Sequence, residues 1–228
     1  NQLSGPVLVA SQQVHSTSVD RLHKLGELVI ANDGRAYRYC EAGGTDLVAG
    51  NLQQSQAQDT DTQDLTAVAA AVGDLSIVST TTVTVTANEY AEGFILVTVT
   101  PGVGRIYKLK GHVAFTTAAP TFTLDNDPVI VALTTTSRLD AMANPYAAVI
   151  VAPTTYTGPN IGVACHVIDD ADFGWLQVRG VTNLLADGAL VIGEPVIRSN
   201  GVAGAVEPTT TTFTVQGAVG YALTGGAT

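Results

Sequence analysis

Apolar and polar residues alternate with a period of two through much of this chain. In Thr80-Thr81-Thr82-Val83-Thr84-Val85-Thr86 the valines fall on every second position. Successive side chains of a strand point to opposite faces, so Val83 and Val85 share one face and the threonines take the other. That pattern predicts a half-buried strand. Further β runs occupy 94–100, 105–110, 113–117, 121–124, 129–134 and 147–152, divided by Pro101-Gly102, Pro120, Asp127-Pro128 and Asn144-Pro145. Turn residues at this spacing set the rhythm of a sandwich or barrel. The last third repeats the scheme at 161–168, 174–180, 189–192, 195–198, 202–206 and 211–223, broken by the acidic turn 169–172, by Asp187-Gly188 and by Asn200-Gly201. No segment there offers ten residues of helical apolar spacing. Pro195 has no N–H for a ladder, so an edge or a bulge is expected around it.

Nearer the start, 27–31 and 35–40 read as two strands joined by Asn32-Asp33-Gly34, where Asp-Gly tolerates the positive φ that tight hairpins need. Residues 1–26 mix Val7, Leu8 and Val9 with polar groups, and Pro6 ends any ladder that begins there, which predicts an extended arm. The stretch 50–64 is too poor in apolar groups to bury anything and reads as a linker or exposed loop. Residues 65–72 are ambiguous: their alanines favour a helix, whereas their length and the Gly73-Asp74 stop suit a strand. The expected fold is therefore all-β, an antiparallel β-sandwich or β-barrel with an extended N-terminal arm and possible division into two small β subdomains. The parts are an arm at 1–26, a β domain at 27–160 carrying the hairpin and the polar loop, and a small barrel-like C-terminal subdomain at 161–228.

A chain of 228 residues can bury a core without disulfides or a structural metal. Its charged content of 13% is about half the usual share, so solubility rests on Thr, Ser, Asn and Gln. Such a surface suits packing against other subunits, because interface centres are depleted in charges that would be costly to bury. The charge is uneven: residues 1–40 hold four basic and three acidic groups, while 41–100 hold eight acidic groups and no Lys or Arg. A net charge of −10 with ten scattered Lys and Arg excludes the electrostatic footprint of nucleic-acid binding. Cys40 and Cys165 do not make a disulfide framework and are expected as buried thiols from a reducing cytoplasm. There is no apolar run of about 18 residues, and Asn1-Gln2-Leu3-Ser4 does not read as a signal peptide, so a soluble chain with no membrane partner is expected.

Catalytic patterns do not assemble. No Gly-x-Ser-x-Gly occurs, and Ser4, Ser11, Ser16 and Ser18 lie in the arm. His15, His23, His112 and His166 lack metal-ligand spacing, and the adjacent Cys165 and His166 would face opposite ways on a strand. The acidic runs 59–64 and 169–172 invite a calcium reading. An EF-hand loop beginning at Asp59 would need Gly and Glu where Asp64 and Ala70 stand, so both runs are expected as solvated turns. Pro101-Gly102-Val103-Gly104-Arg105 lacks the Gly-Lys-Ser/Thr ending of a phosphate loop and reads as a hairpin turn. No enzyme activity, metal or cofactor is expected. Trp175 is either a core anchor or an interface contact.

Several segments resemble known proteins. Gly34-Arg35-Ala36-Tyr37-Arg38-Tyr39, the run 44–52, and Asn144-Pro145-Tyr146 with Ala148-Val149-Ile150-Val151 resemble head structural proteins of tailed bacteriophages. Phe173-Gly174-Trp175-Leu176-Gln177-Val178-Arg179-Gly180, Gly193-Glu194-Pro195-Val196 and Val219-Gly220-Tyr221-Ala222-Leu223 are similar to small β-barrel capsid cement proteins. The resemblance implies a virion protein on the capsid exterior, made in the host cytoplasm. It would bind the major capsid protein and itself, commonly as a homotrimer, and stabilise the shell against packaged DNA. No family catalytic residue exists to carry over. Candidate interface residues are Val7, Leu8 and Val9, in an arm able to add a strand to a neighbour's edge, together with Trp175; a frayed terminus is the other reading of the arm. The alternative functions are a head or tail fibre subunit with a receptor-binding role, or a polysaccharide-degrading enzyme, which would need paired carboxylates in a cleft.

Overall fold

A computed structural model describes residues 13–80, 83–116, 119–209 and 217–225. The protein is all-β, with one 3-10 turn at Thr60–Thr62. Its strands in chain order are β1 (Leu28–Ile30), β2 (Ala36–Glu41), β3 (Leu52–Gln54), β4 (Leu65–Ala67), β5 (Ser76–Thr80), β6 (Thr84–Val85), β7 (Phe94–Val99), β8 (Ile106–His112) and β9 (Phe115–Thr116). They continue as β10 (Thr121–Leu124), β11 (Arg138–Met142), β12 (Ile150–Val151), β13 (Asn160–Ala164), β14 (Phe173–Arg179), β15 (Pro195–Arg198), β16 (Val206–Pro208) and β17 (Gly220–Tyr221). Among the described residues no helix is long and apolar enough to cross a membrane.

The chain forms two compact units. One is Gln58–Asn144; the other joins Asn1–Ala57 to Pro145–Thr228. This replaces the expected division at 160/161. Strand pairing explains the difference: β14 pairs with β2 and β13 pairs with β3, so the last third completes a sheet begun by the first fifty residues. Composition along the chain carries no trace of such long-range pairing.

The unit Gln58–Asn144 contains a closed barrel, β10-β5-β4-β11-β7-β8, with antiparallel neighbours throughout. The period of two selects its core. Ile95 and Val97 of β7, Tyr107 and Leu109 of β8, Phe122 and Leu124 of β10, and Leu139 and Ala141 of β11 all point inward. Ile106, Lys110, Thr121 and Thr123 on the same strands are exposed. The ambiguous run 65–72 is extended, with β4 held between β5 and β11. Residues 129–134 form no strand: Val129 and Leu133 instead each make two backbone bonds with the 70–74 turn, such as Leu133 N–H to the Ala70 carbonyl at 2.9 Å. The Pro101-Gly102 segment turns the chain between the antiparallel β7 and β8.

The other unit holds a six-stranded sheet, β1-β2-β14-β13-β3-β12, and a three-stranded sheet, β16-β15-β17. Gly34 adopts φ +86° in the Asn32-Asp33-Gly34 turn, and the Gly34 N–H closes it on the Ala31 carbonyl at 2.9 Å. Pro195 opens the central strand β15, neither at an edge nor at a bulge; as first residue it costs the ladder little. Residues 189–192 form no strand: Leu190 packs against the cluster around Leu52, and Glu194 N–H closes a turn on the Val191 carbonyl at 3.1 Å that leaves Val191 and Ile192 in solvent.

Gly93 illustrates how tightly the barrel unit closes. A Cβ there would stand 2.1 Å from the Met142 carbonyl oxygen, a backbone atom that cannot swing aside. Gly93→Ala is expected to destabilise the protein by about 2 kcal/mol in urea unfolding, because overpacking forces the backbone to move. Gly44→Ala, where a Cβ meets nothing within 4 Å, should stay within about 0.5 kcal/mol of the parent.

Candidate functional site

The residues with chemical potential are dispersed, and most have structural roles. Asp59 caps the 3-10 turn, its carboxylate accepting from Asp61 N–H at 2.8 Å. Asp64 adopts φ +55° and approaches Arg138, with 3.6 Å between Oδ1 and Nε. In the second acidic run, Asp170 N–H donates to Asp46 Oδ1 at 2.9 Å and Asp172 N–H to the Asp169 carbonyl at 3.0 Å. Among the described residues no three His, Cys, Asp or Glu side chains converge as a metal set would require. Both cysteines are free; Cys40 is buried and Cys165 half-buried, and burial raises both thiol pKa values.

Trp175 is 1% exposed, which corrects its selection as an interface residue. It sits on β14 opposite Tyr39 of β2, with ring centroids 5.0 Å apart and edge-to-face, and His23 lies against it at 5.0 Å. Leu25, Val29 and Tyr37 complete this cluster, against which Val14 and Phe173 also pack. The described part of the arm therefore covers its own sheet. Ser18 and Phe173 exchange backbone bonds of 3.0 and 2.9 Å, and Leu22 N–H donates to the Tyr39 hydroxyl at 3.1 Å. Val7, Leu8 and Val9 lie outside the described residues.

The polar stretch expected as a linker supplies a central strand. Leu52, Gln53, Gln54 and Ser55 are all buried, and β3 lies between β13 and β12. What makes the burial of Gln54 tolerable is Arg198 on β15, itself 0% exposed. Its Nη1 donates to Gln54 Oε1 at 2.8 Å, its Nε to the Pro153 carbonyl at 2.8 Å and its Nη2 to the Thr155 carbonyl at 3.0 Å. Tyr156 covers the guanidinium, its ring centroid 4.3 Å from Cζ. Gln54 Nε2 in turn donates to Thr157 Oγ1 at 2.7 Å. One cation thus satisfies the 153–157 loop and the buried amide together. No sequence signal marked Arg198, because its partners are a glutamine and carbonyls rather than a carboxylate.

A broad groove of about 1290 Å³ opens in the same unit, lined by β13, the end of β14, residues 181–186 and the β17 segment. Nearby in sequence, both ring nitrogens of His166 are buried with no hydrogen-bond partner within 3.5 Å among the described residues, and the His15 ring stands 6.3 Å away. Burial, reinforced by His15, lowers the His166 pKa against a smaller opposing pull from the Ser16 backbone.

No family model, no curated protein and no solved structure matches the chain.

Arg198→Ala should cost about 3 kcal/mol or more in urea unfolding, since it leaves Gln54 Oε1 and two loop carbonyls buried without their donor. Arg198→Lys should recover little, because an ammonium cannot reproduce the planar fork. For His166, a depressed folded value means that the unfolded chain takes up the proton first, so its contribution to stability is present above about pH 6.5 and is lost as pH falls. Stability measured against pH should therefore decline more steeply below that point for the parent than for His166→Phe. Parallel curves would remove His166 as the cause.

Proposed function

We propose that this chain is a decoration, or cement, protein of a bacteriophage head: a non-catalytic virion subunit that binds the outside of an assembled capsid and stabilises it. The observation that carries this reading is a low-charge β framework that leaves many large apolar side chains in solvent. In the unit that pairs both ends of the chain these include Val181, Val191, Ile192, Tyr221 and Leu223; in Gln58–Asn144 they include Val72, Ile106, Val113 and Ile130. Scattered apolar residues are ordinary, but their number beside only 13% charged residues describes a surface suited to adhesion. The resemblance of 34–52 and 173–180 to phage head proteins supports the same reading.

A cement protein needs several modest contacts engaged at once, since each added contact acts at high effective concentration when the geometry permits. The partners are then the major capsid protein and further copies of this chain in a homotrimer. Purified protein added to expanded empty heads should saturate a fixed number of sites, sediment as a trimer when free, and raise the temperature at which heads disrupt. Heads that bind none of it would end this reading.

A further inference from the structure

The groove exceeds the roughly 300–1,000 Å³ typical of small-molecule sites. Its large exposed apolar lining residues are Val181, Leu185, Tyr221 and Leu223. Two stretches of its lining offer unpaired backbone. The N–H groups of residues 181–184 donate to no acceptor among the described residues. Among the described residues β17 is the outer strand of its sheet, with β15 as its one strand partner. The charge of the lining also departs from that of the whole protein. Its only ionised side chains are Arg35 and Arg179, with no Asp or Glu, in a chain of net charge −10. Asp33 neutralises Arg35 at 2.7 Å, whereas Arg179 is exposed and makes no ion pair among the described residues.

We propose that this groove captures an extended segment of another polypeptide, apolar on one face and bearing a carboxylate that meets Arg179. An extended guest can accept from alternate N–H groups within 181–184 and place every second side chain against Val181, Leu185, Tyr221 and Leu223, as in strand addition. A helix could not, because its own ladder already occupies its backbone. The uncompensated cation selects an acidic guest over a basic one. The inference goes beyond the shell-binding reading, since peptide capture is measured without heads and either can fail alone.

The probe is a fluorescent ten-residue peptide alternating valine and serine with one central glutamate, compared by anisotropy with its glutamine and lysine versions on the full chain. The glutamate peptide should bind most tightly, about fivefold better than the glutamine form, in line with one partly exposed ion pair. Arg179→Gln should erase that preference while leaving residual binding. Ala218→Trp, at an exposed position of the lining, should abolish binding with the melting curve unchanged. Absence of binding, equal binding of the lysine form, or indifference to Ala218→Trp would overturn the proposal. It would be overturned equally if only a chain lacking residues 1–12 bound the probe, assigning the groove to the chain's own segment. Self-association abolished by Ala218→Trp would do the same, assigning it to a second copy.

Discussion

The pairing of β2 with β14 is the constraint on which the unit built from both ends of the chain depends. Six residues of Ala36–Glu41 are matched along Phe173–Arg179, bringing strands from opposite ends of the chain into one ladder. Everything else there is built outward from this pair. The hairpin strand β1 adds to β2, and β13 adds to β14 on the other side, carrying β3 and β12 with it. Trp175 and Tyr39 meet on one face of the ladder, while Cys40 and Leu176 contribute to the cluster with Ile168 and Val149. Closing so long a loop costs chain entropy before any contact repays it, and that cost grows only slowly with length. The intervening residues Gln58–Asn144 form a unit with its own core, which leaves few of them as loose chain within that loop.

The local part of this architecture was legible in the amino-acid sequence. Alternation at β7, β8 and β10 and the Asp33-Gly34 turn follow from period-two side-chain direction and from the φ tolerance of glycine, both properties of a few adjacent residues. What could not be read was set by distant partners. Gln53, Gln54 and Ser55 look like loop residues because polarity ordinarily keeps a segment in water; the buried Gln54 amide oxygen is met by a guanidinium far along the chain, while Gln53 Nε2 turns back to the Asn51 carbonyl at 2.9 Å. The same holds for the division into units, which follows from β13 and β14 crossing back to β3 and β2. Trp175 was undecided for a related reason. A strand bearing Trp175, Gln177 and Arg179 on alternate positions has one well-defined face, and only the segment docking over it determines whether that face is core.

Burial of Arg198 without a carboxylate fits the economy of charge in this protein. An ion pair in that position would have required a second desolvated charge, whereas carbonyl oxygens and an amide are already obliged to find donors. The guanidinium serves several at once, and the Tyr156 face adds an attraction that strengthens out of water. His166, by contrast, finds only a weak pull from the Ser16 backbone among the described residues, and a neutral imidazole is the least costly group to leave there.

The two units differ in what they can offer a partner. A closed barrel has no free edge, so β4, β5, β7, β8, β10 and β11 cannot accept another strand, and contact with that barrel must use side chains on its outer face. The open sheets of the other unit end instead in β1, β12, β16 and β17, and beside the barrel strands the unit Gln58–Asn144 carries the short two-stranded ribbon β6-β9. The Ala186 bridge to Val206 already lies beside β16, and the Ala42 bridge to Val149 lies just ahead of β12. β1 and β17 remain as outer strands with no further bridge among the described residues, and Tyr221 on β17 is 70% exposed. An exposed edge bearing a large apolar ring invites unwanted pairing unless something limits it. In β17 the limit is length, since two residues offer too little ladder to template aggregation, while the adjoining unpaired run 181–184 supplies what a specific guest would need in addition. Strand-mediated recognition therefore has its longer edges in the unit assembled from both ends of the chain, since β6 and β9 are two residues each, and the closed barrel contributes through its outward side chains.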